Sequence, residues 1–193
     1  MTARDLYLIS PELAMVGVAL IVILLDLVLK RKGFLPLISI VGLAVPFVLV
    51  ILLWGEVNSQ VDGSIPGVFN ALVVDKFALF FKLLVVIVVA LVIIASVDYV
   101  KRLERYQGEF YGLILFSAVG MMFLSGTREL ISIYISLELT ALPMAALIAF
   151  LLNARSTEAA MKFFVLSAVS SAVLLFGMAM VFGFTGTTYL PEI

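Results

Sequence analysis

The sequence predicts an all-α, polytopic integral membrane protein with about six transmembrane helices. Of its 193 residues, 64% are hydrophobic and 13% are charged, against about 45–50% and 25% in soluble domains. The mean hydropathy is +1.27. The apolar residues form continuous runs of the roughly 20 residues that a helix needs to cross the hydrocarbon. They do not form the short alternating strands of a membrane barrel.

The six predicted spans follow one another along a single transmembrane domain, 1–193. They are 10–29, 34–54, 76–97, 109–125, 128–152 and 157–184. The first has a start signal in Ser10, Pro11 and Glu12. These residues offer an N-cap, a proline for the first turn and a carboxylate near the positive end of the helix dipole. We therefore expect the first spanning helix to begin at this tripeptide.

Caps and glycines mark the ends of the later spans. Asn153 and Ser156 lie where the sixth helix must be capped, and Glu158 lies in its first turn. Five glycines are predicted to lie in connections: Gly33, Gly55, Gly63, Gly67 and Gly126. The fourth span, 109–125, is the shortest of the six.

The basic residues predict the orientation. The first, third and fifth connections hold seven of them: Lys30, Arg31, Lys32, Lys101, Arg102, Arg105 and Arg155. On the other side only Arg4 and Arg128 lie near span ends, and the 55–75 connection is acidic. Because cytoplasmic connections are enriched in Lys and Arg, both chain ends are expected outside. The N-terminal segment lacks a signal-peptide cleavage site, so the first span is expected to be retained.

Composition excludes several classes of chemistry. The chain has no cysteine and no histidine, which excludes disulfides, thiolate nucleophiles, iron–sulfur ligation and haem held by histidine. The net charge of −1 offers no basic patch for nucleic acid. No G-x-G-x-x-G motif is present, so no nicotinamide or flavin site is expected on this chain.

Glu138 is the one carboxylate in an otherwise apolar run, ISIYISLELTALPMAALIAF, residues 131–150. It follows Arg128 by ten residues, about 15 Å along a helix, which places it near the middle of a hydrocarbon layer about 30 Å thick. A charge there costs about 3 kcal/mol on insertion scales. Two interpretations stay open: a protonated acid that bonds to a neighbouring helix, or a proton or ion site.

The surroundings of Glu138 favour a proton or ion site. At 100° per residue, four residues share its helix face: Tyr134, Ala141, Ala145 and Ala149. The alanines leave room for water or a neighbouring helix, and the tyrosine offers a hydroxyl. Pro143 has no N–H, so the carbonyl of Leu139 loses its helical donor one residue from Glu138. Irregular backbone of this kind is tolerated in membranes only within protein or beside water.

Lys162 is the candidate cation of the sixth span. It follows Glu158 by four residues, so the two can pair on one helix face. The segment 166–172, LSAVSSA, is rich in small residues that pack closely against other spans. A buried lysine there would titrate readily, and the alternative is a lysine that snorkels to the interface.

Two further ionisable groups lie within spans. Lys82, a secondary candidate for transport, lies about two turns into the third span, from where it can also snorkel to the outer interface. Asp26 precedes Lys30 by four residues. We expect that pair to anchor the cytoplasmic end of the first span.

Two stretches carry a family resemblance. They are EFYGLILFSAVGMMFLSGTRELISIYISLELTALP and STEAAMKFFVLSAVSSAVLLFGMAMVFGFTGTT. They resemble the antiporter-like membrane subunits of respiratory complex I through the elements LE-x-x-x-LP, S-x-EA-x-x-K-[FY]-F and TGTT. The resemblance covers essentially the whole chain and is strongest over 109–188.

The resemblance implies proton translocation across a bacterial plasma membrane, driven by quinone reduction elsewhere in a larger complex. It implies that Glu138 is a central proton-path residue and that Lys162 takes part. Other membrane-arm subunits, lipid and protons are the implied partners. NADH, FMN, iron–sulfur clusters and quinone are implied on partner subunits, and no redox catalysis is implied on this chain.

The resemblance also sets one expectation about length. Family members have about twice as many spans, arranged as inverted repeats, and a lysine of their seventh helix partners the glutamate of the fifth. The chain is therefore expected to be an N-terminal portion of a longer subunit. Three alternatives stay open: a subunit of a multi-subunit cation/proton antiporter, a membrane-bound hydrogenase subunit, and a structural membrane scaffold that does not pump.

Overall fold

The computed structural model describes residues 3–28, 32–60, 64–67, 71–101, 103 and 106–193. Seven α-helices occur in these ranges: α1 Ala3–Leu8, α2 Ser10–Val28, α3 Leu35–Ser59, α4 Lys76–Val100, α5 Gln107–Gly126, α6 Leu130–Ile148 and α7 Ala154–Thr185. Two strands, β1 Ser64–Pro66 and β2 Val73–Asp75, precede α4. Short 3-10 turns occupy Lys32–Phe34 and Leu190–Glu192.

The six helices α2 to α7 are long and apolar enough to cross a membrane. Each coincides with one of the six predicted spans, which confirms the predicted class of an all-α, multi-pass integral membrane protein. Much of the outer surface is apolar, as on Leu27, Leu91 and Phe184, each at least 60% exposed. In lipid such surface needs no cover, because acyl chains are as apolar as leucine.

The helices α2, α3, α4 and α5 form a bundle around one apolar core. The core includes Met15, Leu43, Ile93 and Leu115, each at most 3% exposed. Helix α5 contacts α2, α4 and α6, and α7 packs against α6. The carboxylate-bearing helix α6 is therefore held on one side by the bundle and on the other by α7.

A β-hairpin, which the sequence analysis did not predict, connects α3 to α4. Its strands are antiparallel, with Ile65 opposite Val74. Both side chains belong to a second apolar cluster with Leu8 and Val57, which packs the hairpin against α1 and α3. Asp75 ends the hairpin and caps α4, since Oδ1 accepts a hydrogen bond from the amide of Ala78 at 2.7 Å.

The first spanning helix begins at Ser10 as predicted, but Ser10 is not its N-cap. A short helix, α1, precedes α2 with only Ile9 between them, so Ser10 does not cap α2, and its hydroxyl has no hydrogen-bond partner among the described residues. Tyr7 of α1 lies near Glu56 of α3. Partial burial raises the pKa of Tyr7, and the Glu56 carboxylate adds to the rise.

Two glycines predicted in connections lie in helices instead. Gly55 is inside α3, which continues to Ser59 because Val57, fully buried, is held in the second apolar cluster. Gly126 is the last residue of α5. Gly33 and Gly67 lie in connections as predicted, and Gly63 lies outside the described residues.

The helix of the fifth span ends earlier than the predicted residue 152, since α6 stops at Ile148 and Leu152 has a φ of +50°.

Four of the nine basic residues behind the orientation prediction lie outside the described ranges. They are Lys30, Arg31, Arg102 and Arg105, so the orientation stays a prediction. Lys30, the proposed partner of Asp26, is one of these four residues, so the Asp26–Lys30 pair also stays a prediction. Asp26 itself is 7% exposed and lies against Gly108 of α5, where a Cβ would collide with the aspartate side chain. The carboxylate is therefore packed between α2 and α5.

The predicted cap of α7 is confirmed. The side chain of Asn153 accepts a hydrogen bond from the amide of Ser156 at 2.8 Å, and the Ser156 hydroxyl accepts one from the amide of Asn153 at 3.2 Å. We expect Asn153→Ala to remove about 1 kcal/mol of stability. A lower thermal midpoint of the detergent-solubilised protein would show this loss. Asn58→Ala, at an exposed position of α3, is the control and should leave the midpoint unchanged.

Candidate functional site

A cavity of about 320 Å³ separates α6 from α7. Glu138 contributes its carboxylate from α6, eight residues after Leu130 and so about 12 Å along the helix. The other lining residues are Tyr134, Ala141, Leu142, Ala145, Phe163, Phe164, Ser167, Ala168, Ser171, Ala172 and Leu175. A carboxylate thus faces a space inside the membrane-spanning region, where polar side chains are rare and costly.

The Glu138 carboxylate has a defined partner. The hydroxyl of Ser171 on α7 donates a hydrogen bond to Glu138 Oε1. Glu138 and Ser171 are both partly buried. Glu138 and Ser171 both line the cavity, so the hydrogen-bonded pair lies at its wall.

Most of the residues predicted to share the helix face of Glu138 lie beside it in the structure. Tyr134, Ala141 and Ala145 line the cavity with Glu138, whereas Ala149 lies at the C-cap of α6. Four members of the small segment 166–172 complete the opposite wall: Ser167, Ala168, Ser171 and Ala172. Small side chains on both helices leave the cavity open at the depth of the carboxylate.

Pro143 lies within α6 and is buried. It removes the amide that would bond to the carbonyl of Leu139, next to Glu138 in sequence. The side chain of Leu139 lines a different cavity, of about 460 Å³, with Glu129 and Tyr189. The freed carbonyl is a backbone consequence of the proline, and its part in the site stays a prediction.

Helix α5 fixes the position of α6. Gly120 lies so close to α6 that a Cβ there would collide with Thr140 Oγ1. The same Cβ would lie 2.7 Å from the Thr140 amide nitrogen and 2.8 Å from the Ser136 carbonyl oxygen. The Ser117 hydroxyl donates to the carbonyl of Thr140 at 3.2 Å. These contacts hold the turn of α6 that carries Glu138.

Lys162 is not brought to Glu138. Its ammonium group pairs with Glu158 at 2.5 Å, and the two side chains are 71% and 66% exposed. The predicted i,i+4 pair is thus confirmed. The expected burial between packed helices is not found, because α7 contacts only one neighbouring helix closely among the described residues.

Lys82 does not snorkel. Its ammonium nitrogen lies 2.6 Å from Oε1 of Glu12, and the two side chains are only 4% and 2% exposed. The pair joins α2 to α4 inside the protein. Glu12 lies in the first turn of α2 as predicted, and its partnership with Lys82 was not predicted.

Sequence reasoning missed Ser171 and Glu129. Ser171 lies 33 residues from Glu138, and a serine in a small-residue run gives no sign of its partner. Glu129 precedes α6, and its carboxylate accepts hydrogen bonds from the hydroxyls of Ser132 at 2.9 Å and Thr188 at 3.1 Å. A carboxylate directly before an apolar run was the available signal for Glu129.

The fold and the site together define a multi-pass membrane protein that carries a carboxylate between two spanning helices. Residues 127–193 match the family described as NADH:quinone oxidoreductase/Mrp antiporter, transmembrane. This range contains Glu138, Ser171 and Lys162. Over these residues the chain is similar to this family of antiporter-like membrane subunits.

Over most of its length, the chain is similar to subunits named N. It is 39% identical to NADH-quinone oxidoreductase subunit N of Dehalococcoides mccartyi over 96% of this chain and 37% of the relative. It is 34% identical to F(420)H(2) dehydrogenase subunit N of Methanosarcina mazei over 98% of this chain and 39% of the relative. The chain thus spans less than two fifths of the length of these relatives.

Solved structures show the same fold. A chain of respiratory complex I from Thermus thermophilus superposes with a TM-score of 0.71 at 29% identity, over 93% of this chain and 38% of that chain. A chain of the archaeal membrane-bound sulfane sulfur reductase superposes with a TM-score of 0.80 at 21% identity, over 97% and 39%. The second likeness shows the fold alone, and both neighbours are parts of respiratory membrane complexes.

Proposed function

We propose that this chain is part of a proton-translocating membrane-arm subunit of NADH:quinone oxidoreductase, and that Glu138 is its protonation site. The observation that supports the proposal is the Glu138 carboxylate lining a cavity between α6 and α7. A membrane protein rarely retains an ionisable group at this depth without a use for its charge.

The cavity has the size and the polar groups that water requires. Water occupies about 30 Å³ per molecule in the liquid and needs two to four polar partners when buried. The cavity of about 320 Å³ offers Tyr134, Ser167 and Ser171 beside the carboxylate. Water can therefore deliver a proton to Glu138 and remove it, while the apolar walls exclude other ions.

The proton step itself is simple. Proton uptake forms one O–H bond on the carboxylate and neutralises it, and release restores the charge. Tyr134, one turn earlier on the same face, offers a hydroxyl to the water chain. Lys162 lies within the matched range but is exposed and paired with Glu158, so we assign it a supporting electrostatic function rather than direct contact.

The energy for translocation is proposed to come from partner subunits. NADH, FMN, iron–sulfur clusters and quinone are proposed to be bound there. For the clusters, the given sequence has no cysteine or histidine to act as a ligand. Other membrane-arm subunits and lipid are its proposed partners, in the plasma membrane of a bacterium.

A purification experiment tests membership of the complex. A tag on the full subunit that contains this chain should recover NADH:quinone oxidoreductase activity from the membranes, and vesicles should take up protons when NADH is supplied. Recovery of sodium/proton exchange without any NADH oxidation would favour an antiporter subunit, which the family description also includes.

Ser171→Ala tests the hydrogen bond to Glu138. A hydrogen bond to a charged group contributes about 1.5–3 kcal/mol, so we expect the rate of proton pumping to fall by about 10- to 150-fold. Ser170→Ala is the matched control, because Ser170 is exposed on the same helix. Equal pumping by both variants, measured in vesicles with equal amounts of assembled complex, would contradict the assigned contact.

A further inference from the structure

The ion pair of Glu12 and Lys82 is a second ionisable site, separate from Glu138. The separation of 2.6 Å is a direct contact between the ammonium group and the carboxylate, and both side chains are almost completely buried. Glu12 lies in the first turn of α2 and Lys82 in the second turn of α4. Neither residue falls in the range 127–193 that matches the family.

A purely structural contact explains this pair poorly. Removing each ion from water costs several kcal/mol, and replacing a buried ion pair by well-packed apolar residues is often neutral or stabilising. The neighbouring core of α2 and α4 is already apolar, with Met15 and Leu79 fully buried. Apolar residues would therefore suffice to hold the two helices together.

The carboxylate of Glu12 is half satisfied. Oε1 contacts Lys82, but Oε2 is buried without a hydrogen-bond partner among the described residues. Leaving a buried acceptor unsatisfied costs about 1–3 kcal/mol, and more for a charged group. A water molecule that donates to Oε2, or a proton bound to it, removes that cost.

The pair lies closer to the start of its helices than Glu138 does. Glu12 follows the start of α2 by two residues, about 3 Å along the helix. Lys82 follows the start of α4 by six residues, about 9 Å along the helix, and Glu138 lies about 12 Å into α6. Both helices are predicted to begin on the outer side of the membrane, and both pack against α5. Helix α5 therefore contacts the helices of both ionisable sites.

We propose that Glu12 and Lys82 form a second proton-exchanging site of this subunit, with water as the donor and acceptor at Glu12 Oε2. In proton uptake an O–H bond of a hydronium ion breaks, leaving water, and an O–H bond forms at Oε2, so the net charge of the pair changes from zero to +1; release returns the proton to water and reverses the step. The inference rests on the proposed function, since it adds a second site to the same translocation activity.

Two substitutions separate proton exchange from structural support. Glu12→Asp keeps an exchangeable carboxyl group, whereas Glu12→Gln keeps the size and the acceptor for Lys82 but cannot take up a proton. In vesicles with the assembled complex, we expect Glu12→Asp to retain pumping and Glu12→Gln to lose at least about tenfold in pumping rate. A side chain positioned for proton transfer contributes about 10²–10⁴-fold to a rate, so tenfold is the smallest loss that we expect. Normal pumping by Glu12→Gln overturns the proposal.

A double variant covers the case in which Glu12→Gln does not assemble. Glu12→Gln with Lys82→Met removes both charges, so no unpaired buried charge remains and assembly should be restored. Assembly with weak pumping supports the proposal, and assembly with normal pumping overturns it. If the double variant also does not assemble, the infrared carboxyl bands of wild type and Glu12→Asp are compared. Identical spectra at every pH overturn the proposal, and a pH-dependent difference between the two spectra supports it.

The controls use an exposed ion pair and the primary site. Asp98 and Lys101 pair at 3.0 Å, with side chains 89% and 67% exposed, and Asp98→Asn with Lys101→Met should leave pumping unchanged. Glu138→Gln is measured in the same preparation. If it pumps normally, the proposed function fails. If it is inactive while Glu12→Gln pumps normally, only the second site fails.

Discussion

Glu138→Gln is expected to abolish proton pumping while the complex still assembles. Glutamine has nearly the same size and still accepts a hydrogen bond from Ser171, the partner of Oε1 in the structure. It cannot bind and release a proton. Because the side chain lines the cavity rather than the packed core, the substitution should not disturb the contact of α6 with α5.

The measurement is NADH-driven proton uptake by inverted membrane vesicles. Glu56→Gln makes the same chemical change at an exposed position of α3 and should pump like wild type. Loss of assembly in Glu138→Gln would indicate a structural acid, the other interpretation that the sequence left open. Assembled complex with normal pumping would exclude Glu138 as the protonation site.

Gly120→Ala is expected to destabilise the protein, because a methyl group on α5 at this position has no room against α6. The new Cβ would collide with the side chain of Thr140 and lie 2.8 Å from the Ser136 carbonyl oxygen. These are backbone or backbone-proximal atoms of a packed helix, so they cannot move aside easily. Overpacking of this kind costs about 1–3 kcal/mol, occasionally more.

Gly17→Ala is the control for Gly120→Ala, and its expected effect on stability has the opposite sign. A Cβ at Gly17 of α2 meets nothing within 4 Å, and alanine is favoured over glycine in helices by about 1 kcal/mol. Gly17→Ala should therefore leave the thermal midpoint of the purified complex unchanged or raise it, whereas Gly120→Ala should lower it. Equal midpoints would show that α5 and α6 are not in close contact.

The sequence predicts features that depend on neighbours along the chain. Hydropathy is a local property, so the six spans were predictable. Helical periodicity placed Tyr134, Ala141 and Ala145 beside Glu138, and the capping residues placed the start of α7. Gly55 was wrongly predicted to lie in a connection. Helix α3 continues past it because Val57 is buried in the second apolar cluster, and a glycine in the sequence gives no sign of that burial.

The remaining features depend on contacts that are distant in sequence. Glu12 and Lys82 meet across two helices, and each has a plausible solvent-facing interpretation when considered alone. The hairpin consists of two three-residue strands, too short for an alternating pattern. Ser171 is one of several serines of α7, and only the packing of α7 on α6 selects it as the partner of Glu138.

The central claim is that Glu138 exchanges a proton with water inside the membrane-spanning region. Infrared difference spectroscopy of the assembled complex measures this directly, through the C=O stretching band of a protonated carboxyl group. We predict a band that changes with pH, shifts in D₂O and is missing from Glu138→Gln. A spectrum in which wild type and Glu138→Gln are the same at every pH would contradict the claim.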